Sequence, residues 1–188
     1  EYRYDPKGNV RPWDRTLYIK IVKGFMKEGD TIKVRFGVTD GGSPGMRLQT
    51  FCEDTFEFRV LVDPIATYNY QPLPEQPVIK IVPSKPEKYV AVWPTLRRVN
   101  ETFSLKLKGE DAWGNPSDKC DTTLRLKASA PVENLPETVT FKLGEFAVEI
   151  PDISVKEPGD IALELFHVDG SLAAQANPLR IVDGGALI

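Results

Sequence analysis

Histidine and cysteine are scarce in this chain of 188 residues, with one histidine, His167, and two cysteines, Cys52 and Cys120. A zinc site wants several such ligands at close spacing, and a hydrolytic triad wants its histidine beside a nucleophile. Neither cysteine has a second cysteine or a histidine at ligand spacing, so zinc is disfavoured and no cofactor is expected. The cysteines fall in what the pattern below divides into two domains, which argues against a disulfide and for two free, buried thiols. Charge of one sign is equally lacking. The net charge is −3 and Lys and Arg are scattered, so the electrostatic footprint of a nucleic-acid or anionic-membrane binder is missing. No run approaches the roughly 20 apolar residues of a spanning helix, and the first residues carry no basic and apolar leader, so a soluble chain without membrane insertion is expected. The opening at Glu1 and the uncharged run Gly184–Ile188 read as a cut through a longer polypeptide; compartment and oligomeric state stay open.

A helical stripe is missing as well. In its place apolar and polar residues alternate with period two, which puts one face of a strand on a core and the other in water. Leu17, Ile19 and Ile21 alternate with Tyr18 and Lys20; Ile32, Val34, Phe36 and Val38 with Lys33 and Arg35; Phe103, Leu105 and Leu107 with Ser104, Lys106 and Lys108. The same rhythm returns at Phe56–Val62, Leu124–Leu126, Val139–Leu143, Phe146–Ile150 and Ile161–Leu165. The 16 prolines and 14 glycines sit mostly between these segments, where they stop strands and set turns. The expectation is an all-β fold of two tandem immunoglobulin-like β-sandwiches, with an amino-terminal arm at 1–12, a first domain at 13–84 and a second at 85–188. An echo supports the division: Thr31–Asp40 followed by Gly41-Gly-Ser-Pro44 has the layout of Thr102–Asp111 followed by Ala112-Trp-Gly-Asn-Pro116.

Few residues invite chemistry. Glu110, Asp111, Asp118 and Asp121 crowd around Trp113 and could offer oxygen ligands to calcium, but their spacing matches no EF-hand and Lys119 sits among them, so a strand-ending turn is the preferred reading. Trp113 either packs inward or against a neighbour, which is preferred, or stacks on a ligand. Tyr68 and Tyr70 alternate along one segment and form either cover for an edge or seam, which is preferred, or a stacking platform. Gly41–Gly45 lacks the Lys-Ser/Thr of a P-loop. His167 ends a strand on its apolar face and reads as a residue at the margin of a core. Asn100-Glu-Thr102 matches a glycosylation sequon, a pattern short enough to arise by chance. No catalytic constellation assembles.

The order of several motifs carries a likeness. Gly29–Phe36, Gly41–Phe51 and Phe56–Pro64, then Glu110–Pro116, Leu135–Val139 and Asn177-Pro178, resemble the amino-terminal region of a bacterial domain-of-unknown-function family. The carboxy-terminal half of that family is similar to metal-dependent hydrolases of the polymerase-and-histidinol-phosphatase (PHP) type. The resemblance implies an accessory β-sandwich region whose partner is a hydrolase domain of the same polypeptide. The family's metal-binding motif of Trp-Gly-Asp-Leu-His-Gly type has no counterpart before Ile188, so no ligand or catalytic residue transfers to this chain, and His167 matches none. The alternative is a free-standing module that binds carbohydrate or protein through Trp113, Tyr68 and Tyr70.

Overall fold

The computed structural model describes residues 1–185. Of the uncharged run at the end of the chain and of the second expected domain, residues 186–188 lie outside the described residues. The architecture is all β, with one 3-10 turn at Asp40–Gly42. Among the described residues no helix is long and apolar enough to cross a membrane. The chain divides into two compact units, the first made of residues 1–49 and 53–81, the second of residues 50–52 and the chain from Val82 onward.

The first unit is built from three antiparallel ribbons. Strand β1 (Tyr2–Asp5) pairs with β2 (Thr16–Ile19), β3 (Glu53–Glu57) lies in register with β6 (Val78–Ile81), and β4 (Leu61–Val62) with β5 (Gln71–Pro72). No residue of this unit is buried. Aromatic packing adds to the ladders: Phe36 stacks on Phe58 at 4.6 Å, Phe56 meets Phe58 edge-on at 5.3 Å, and the Arg59 guanidinium lies 4.7 Å over the Trp13 ring. The expected strand at Ile32–Val38 joins no ladder, and its apolar side chains stay 41–56% exposed. Alternation assigns the two faces of an extended segment but not the neighbour that must accept its hydrogen bonds, and here that neighbour is missing from the unit.

The second unit is an immunoglobulin-like β-sandwich. One sheet orders β12 (Val148–Ile153), β9 (Phe103–Glu110) and β7 (Lys88–Val92); the other orders β11 (Thr138–Phe141), β10 (Thr122–Ala128), β14 (Leu163–Phe166) and β15 (Leu172–Gln175). The short strand β13 (Gly159–Ile161) runs into β14 across Ala162, and β16 (Leu179–Val182) follows β15 after a break at 176–178. Ala176 N–H donates to Leu163 O at 2.9 Å to span that break. Strand β16 pairs antiparallel with β13 and parallel with β8 (Leu96–Arg98), so an early and a late strand of the unit lie side by side. The chain crosses from sheet to sheet between β9 and β10, again between β11 and β12, and again between β12 and β13, the connectivity of a Greek key.

Here the alternation holds in most of the expected strands; the exceptions are Leu143 and Phe146, which lie between β11 and β12 in the turn around Gly144 and are 66% and 51% exposed. Phe103, Leu105 and Leu107 of β9 face inward and are buried, as are Leu124, Phe141, Ile153, Leu163, Leu165, Leu179 and Ile181. Each such side chain contributes about 1.5–3 kcal/mol by leaving water. Gly109 interrupts the rhythm of β9 for a steric reason: a β-carbon there would stand 2.2 Å from Cys120 Sγ and 3.1 Å from Pro86 Cβ. Trp93, 3% exposed, closes the core and is clasped by Asn177. The Trp93 indole N–H donates to Asn177 O at 2.6 Å, Trp93 N–H to Asn177 Oδ1 at 3.2 Å, and Asn177 Nδ2 to Trp93 O at 2.9 Å. The Asn-Pro pair at 177–178 is thus a clamp on the core tryptophan.

Candidate functional site

Where β9 ends, the chain folds back on itself. Asp111 N–H donates to Asn115 O and Gly114 N–H to Asp111 O, both at 3.0 Å, and Gly114 takes φ of 87°, a left-handed value that favours glycine. The Asp111 carboxylate fills the turn. Its Oδ1 accepts Trp113 N–H at 2.9 Å, Asn115 N–H at 3.0 Å and Asn115 Nδ2 at 3.1 Å; its Oδ2 accepts Ser84 N–H at 3.2 Å and Asn115 Nδ2 at 3.0 Å. Burial alone would push this carboxyl up, but the donors of Asn115, Ser84 and Trp113 outweigh it and hold it below the ordinary aspartate value.

Asn115 then reaches outward with the rest of its amide. Nδ2 donates to Thr50 O at 2.8 Å, and Oδ1 accepts Cys52 N–H at 3.0 Å. Ser117 Oγ donates to Ser84 O at 2.7 Å and accepts Lys119 N–H at 3.2 Å, while Lys119 Nζ donates to Pro83 O. The loop after β9 therefore holds both stretches at which the chain enters the second unit, 50–52 and 82–87. The acidic motif is a fastening for backbone.

Glu110 has its own partners, Lys88 Nζ on Oε2 and Lys108 Nζ on Oε1, each at 2.8 Å. Lys108 first and Lys88 second hold its carboxyl below the ordinary glutamate value. Because the folded value is depressed, this group contributes stability that is fully present above the unfolded value of about 4.5 and is lost as pH falls through the folded one. Glu110→Gln should therefore be less stable than the parent at pH 7 and should lose less of its melting temperature between pH 5 and pH 2, read by thermal melts across about that range.

The other sequence candidates scatter. Gly144 N–H donates to Asp118 O at 2.7 Å, Asp121 is exposed, and among the described residues no three His, Cys, Asp or Glu side chains gather as a metal site. Trp113 is 59% exposed and stays out of the core of its unit. Tyr68 and Tyr70, on the β4–β5 connection of the first unit, are 87% and 49% exposed. His167 is half-buried with its ring edge-on to Tyr89 at 5.6 Å, at the margin of the core as expected. Neither cysteine is in a disulfide, but only Cys120 is buried; Cys52, whose N–H is held by Asn115 Oδ1, is exposed. Burial pushes the Cys120 thiol up, away from nucleophilic use. The residues missed in the sequence are Ser84, Asn115 and Ser117. Their only advance signal is that Asn115 precedes a proline, as Asn177 does in the other clamp.

Fold and loop together make the second unit an immunoglobulin-like β-sandwich whose loop after β9 binds its own chain. No family model matches the chain, and no curated protein matches it. Solved structures similar to it include the D00-D0 domain of intimin, at 10% identity with a TM-score of 0.39 over 70% of this chain and 66% of that one. The D0-D1 domain of intimin matches at 9% identity and a TM-score of 0.38, over 68% of this chain and 63% of that one. A PKD domain of an M14-like peptidase from a Thermoplasmatales archaeon matches at 10% identity and a TM-score of 0.32, over 53% of this chain and 98% of that one. The chain thus spans about two thirds or less of the intimin fragments it matches.

Proposed function

We propose that this chain is a non-catalytic scaffold region of a larger, PHP-like metal-dependent hydrolase, and that it positions the hydrolase domain or mediates assembly. The reading brings with it two tandem sandwich domains, residues 13–84 and 85–188. The observation that carries it is the state of Glu110 and Asp111: both carboxylates are committed to lysines and to backbone donors of the chain itself, so the group with most chemical potential acts as a fastening. The buried Cys120 thiol and the ring-packed His167 support it in the same way.

Two measurements test the proposal. The purified chain incubated with manganese, zinc or magnesium and a generic phosphoester should give no turnover, and a specific activity lost on substituting one residue here overturns the non-catalytic reading. The coding sequence that follows Ile188 should continue within about 20 residues into an apolar strand and an Asp-Leu-His motif. A continuation without that motif removes the hydrolase and leaves the sandwich module.

A further inference from the structure

We propose that the loop joining β4 to β5, residues 63–70 of the first unit, is a binding site for a neutral oligosaccharide, with Tyr68 and Tyr70 as stacking rings. This inference does not depend on the scaffold reading above. A hairpin needs only a few residues between paired strands, and here Val62 pairs with Gln71 across an eight-residue connection. That connection is tightly specified. The Asp63 carboxylate collects the N–H groups of Ile65 at 3.3 Å, Thr67 at 3.1 Å and Tyr68 at 2.6 Å, together with the Thr67 hydroxyl at 3.3 Å. Two residues that carry a β-carbon, Ala66 and Tyr68, are held left-handed, with φ of 54° and 63°. Left-handed backbone at such residues is unfavourable and persists only where its surroundings over-determine it, as the four donors on Asp63 do.

In a unit that buries no residue, this loop displays its large side chains in a fixed backbone. Tyr68 is 87% exposed and Ile65 76%, with Tyr70 at 49%. A fixed loop that sets large rings in water is arranged for a partner. The chemistry of the loop narrows the partner. Asp63 is the one charged residue between positions 63 and 72, and both its oxygens are engaged within the loop, so the surface does not call for a cation or an anion. Beside the two tyrosines in the chain are amides and a hydroxyl, Asn69, Gln71 and Thr67, the last of them bonded to Asp63. Gln71 Nε2 donates to Asn69 Oδ1 at 2.9 Å, which aligns the two amides as a paired set of donors and acceptors. Apolar ring faces beside neutral amides match a sugar, whose C–H face stacks on tyrosine while its hydroxyls exchange hydrogen bonds with amides. A protein partner fits less well, because a stable protein interface takes about 800 Å² from each side and eight residues supply only part of that.

The experiment is titration of the whole chain by calorimetry with neutral hexasaccharides of the β-glucan, xylan, mannan and α-glucan types. At least one should bind. Tyr68→Ala and Tyr70→Ala should each weaken it about tenfold, whereas Tyr68→Phe, which keeps the ring, should remain within about threefold of the parent. Asp63→Ala, which releases the loop, should weaken it several-fold while leaving the melting of the second unit unchanged. The exposure of Tyr68 makes a folding failure of its variants an unconvincing excuse. No binding across the panel, binding undiminished in both alanine variants, or binding confined to an anionic polysaccharide or a protein overturns the proposal.

Discussion

Replacing Asp111 with alanine should lower the stability of the second unit by about 3 kcal/mol, because the loss exceeds that of one ordinary hydrogen bond. The carboxylate is 2% exposed and accepts from Ser84, Trp113 and Asn115. Removing it leaves these donors without their acceptor in a site with little access to water, and each orphaned group costs about 1–3 kcal/mol where water cannot reach it. The Asn115 amide also loses the group that orients it, and with it the hold on Thr50 O and Cys52 N–H. Two readouts follow. The melting temperature of the unit should fall by roughly 10–20 °C, and protease cleavage next to Phe51 should accelerate. Asp111→Asn, which keeps the shape but places an NH₂ on one side, should fall between the parent and alanine. A melting temperature within about 2 °C of the parent for Asp111→Ala would show that the loop closes without its carboxylate.

The second large effect is expected at Gly109, where alanine, a change of one methyl group, should cost more than 2 kcal/mol, near the upper part of the range for overpacking. The position tolerates no β-carbon, since the Cys120 sulfur stands 2.2 Å from where it would lie. The backbone of β9 cannot retreat without breaking its ladders, paired on one side with β7 and on the other with β12. Cys120→Ala alone should leave a small cavity and cost about 1–2 kcal/mol. The double variant Gly109→Ala with Cys120→Ala should be more stable than the sum of the single losses predicts, because the new methyl occupies space the sulfur has vacated. That coupling, read by chemical denaturation of the four proteins, is a double-mutant cycle. Additive losses would place the cost of Gly109→Ala away from the sulfur, at the 3.1 Å contact with Pro86 Cβ or in the strand backbone.

The sandwich of the second unit was legible because its strands are long enough for alternation to be unmistakable. Phe103, Leu105 and Leu107 point inward against Ser104, Lys106 and Lys108 as the period-two rule requires. The same rule failed at Ile32–Val38, where the alternation is as regular but no ladder forms. Side-chain period is written locally, and pairing is a long-range property that one segment does not encode. The turn at Asp111–Pro116 was legible as a turn from its Asp, Gly and Asn, but its hold on Thr50 and Ser84 was not, since these partners are 65 and 27 positions away. Cys52 fails as a buried thiol for a related reason: the short segment that carries it is held by Asn115, 63 positions away, and leaves the residue exposed.

The parallel pairing of β8 with β16 bears on how the second unit responds to mechanical load. Arg180, Ile181 and Val182 stand opposite Leu96, Arg97 and Arg98. Tension applied between Leu96 and Val182, at opposite ends of the pair, would pull these two strands past each other along their length, so their cross-links would be strained together in shear. An antiparallel hairpin pulled from its open end yields one link at a time. Under such a load the three paired residues on each strand would have to give way together.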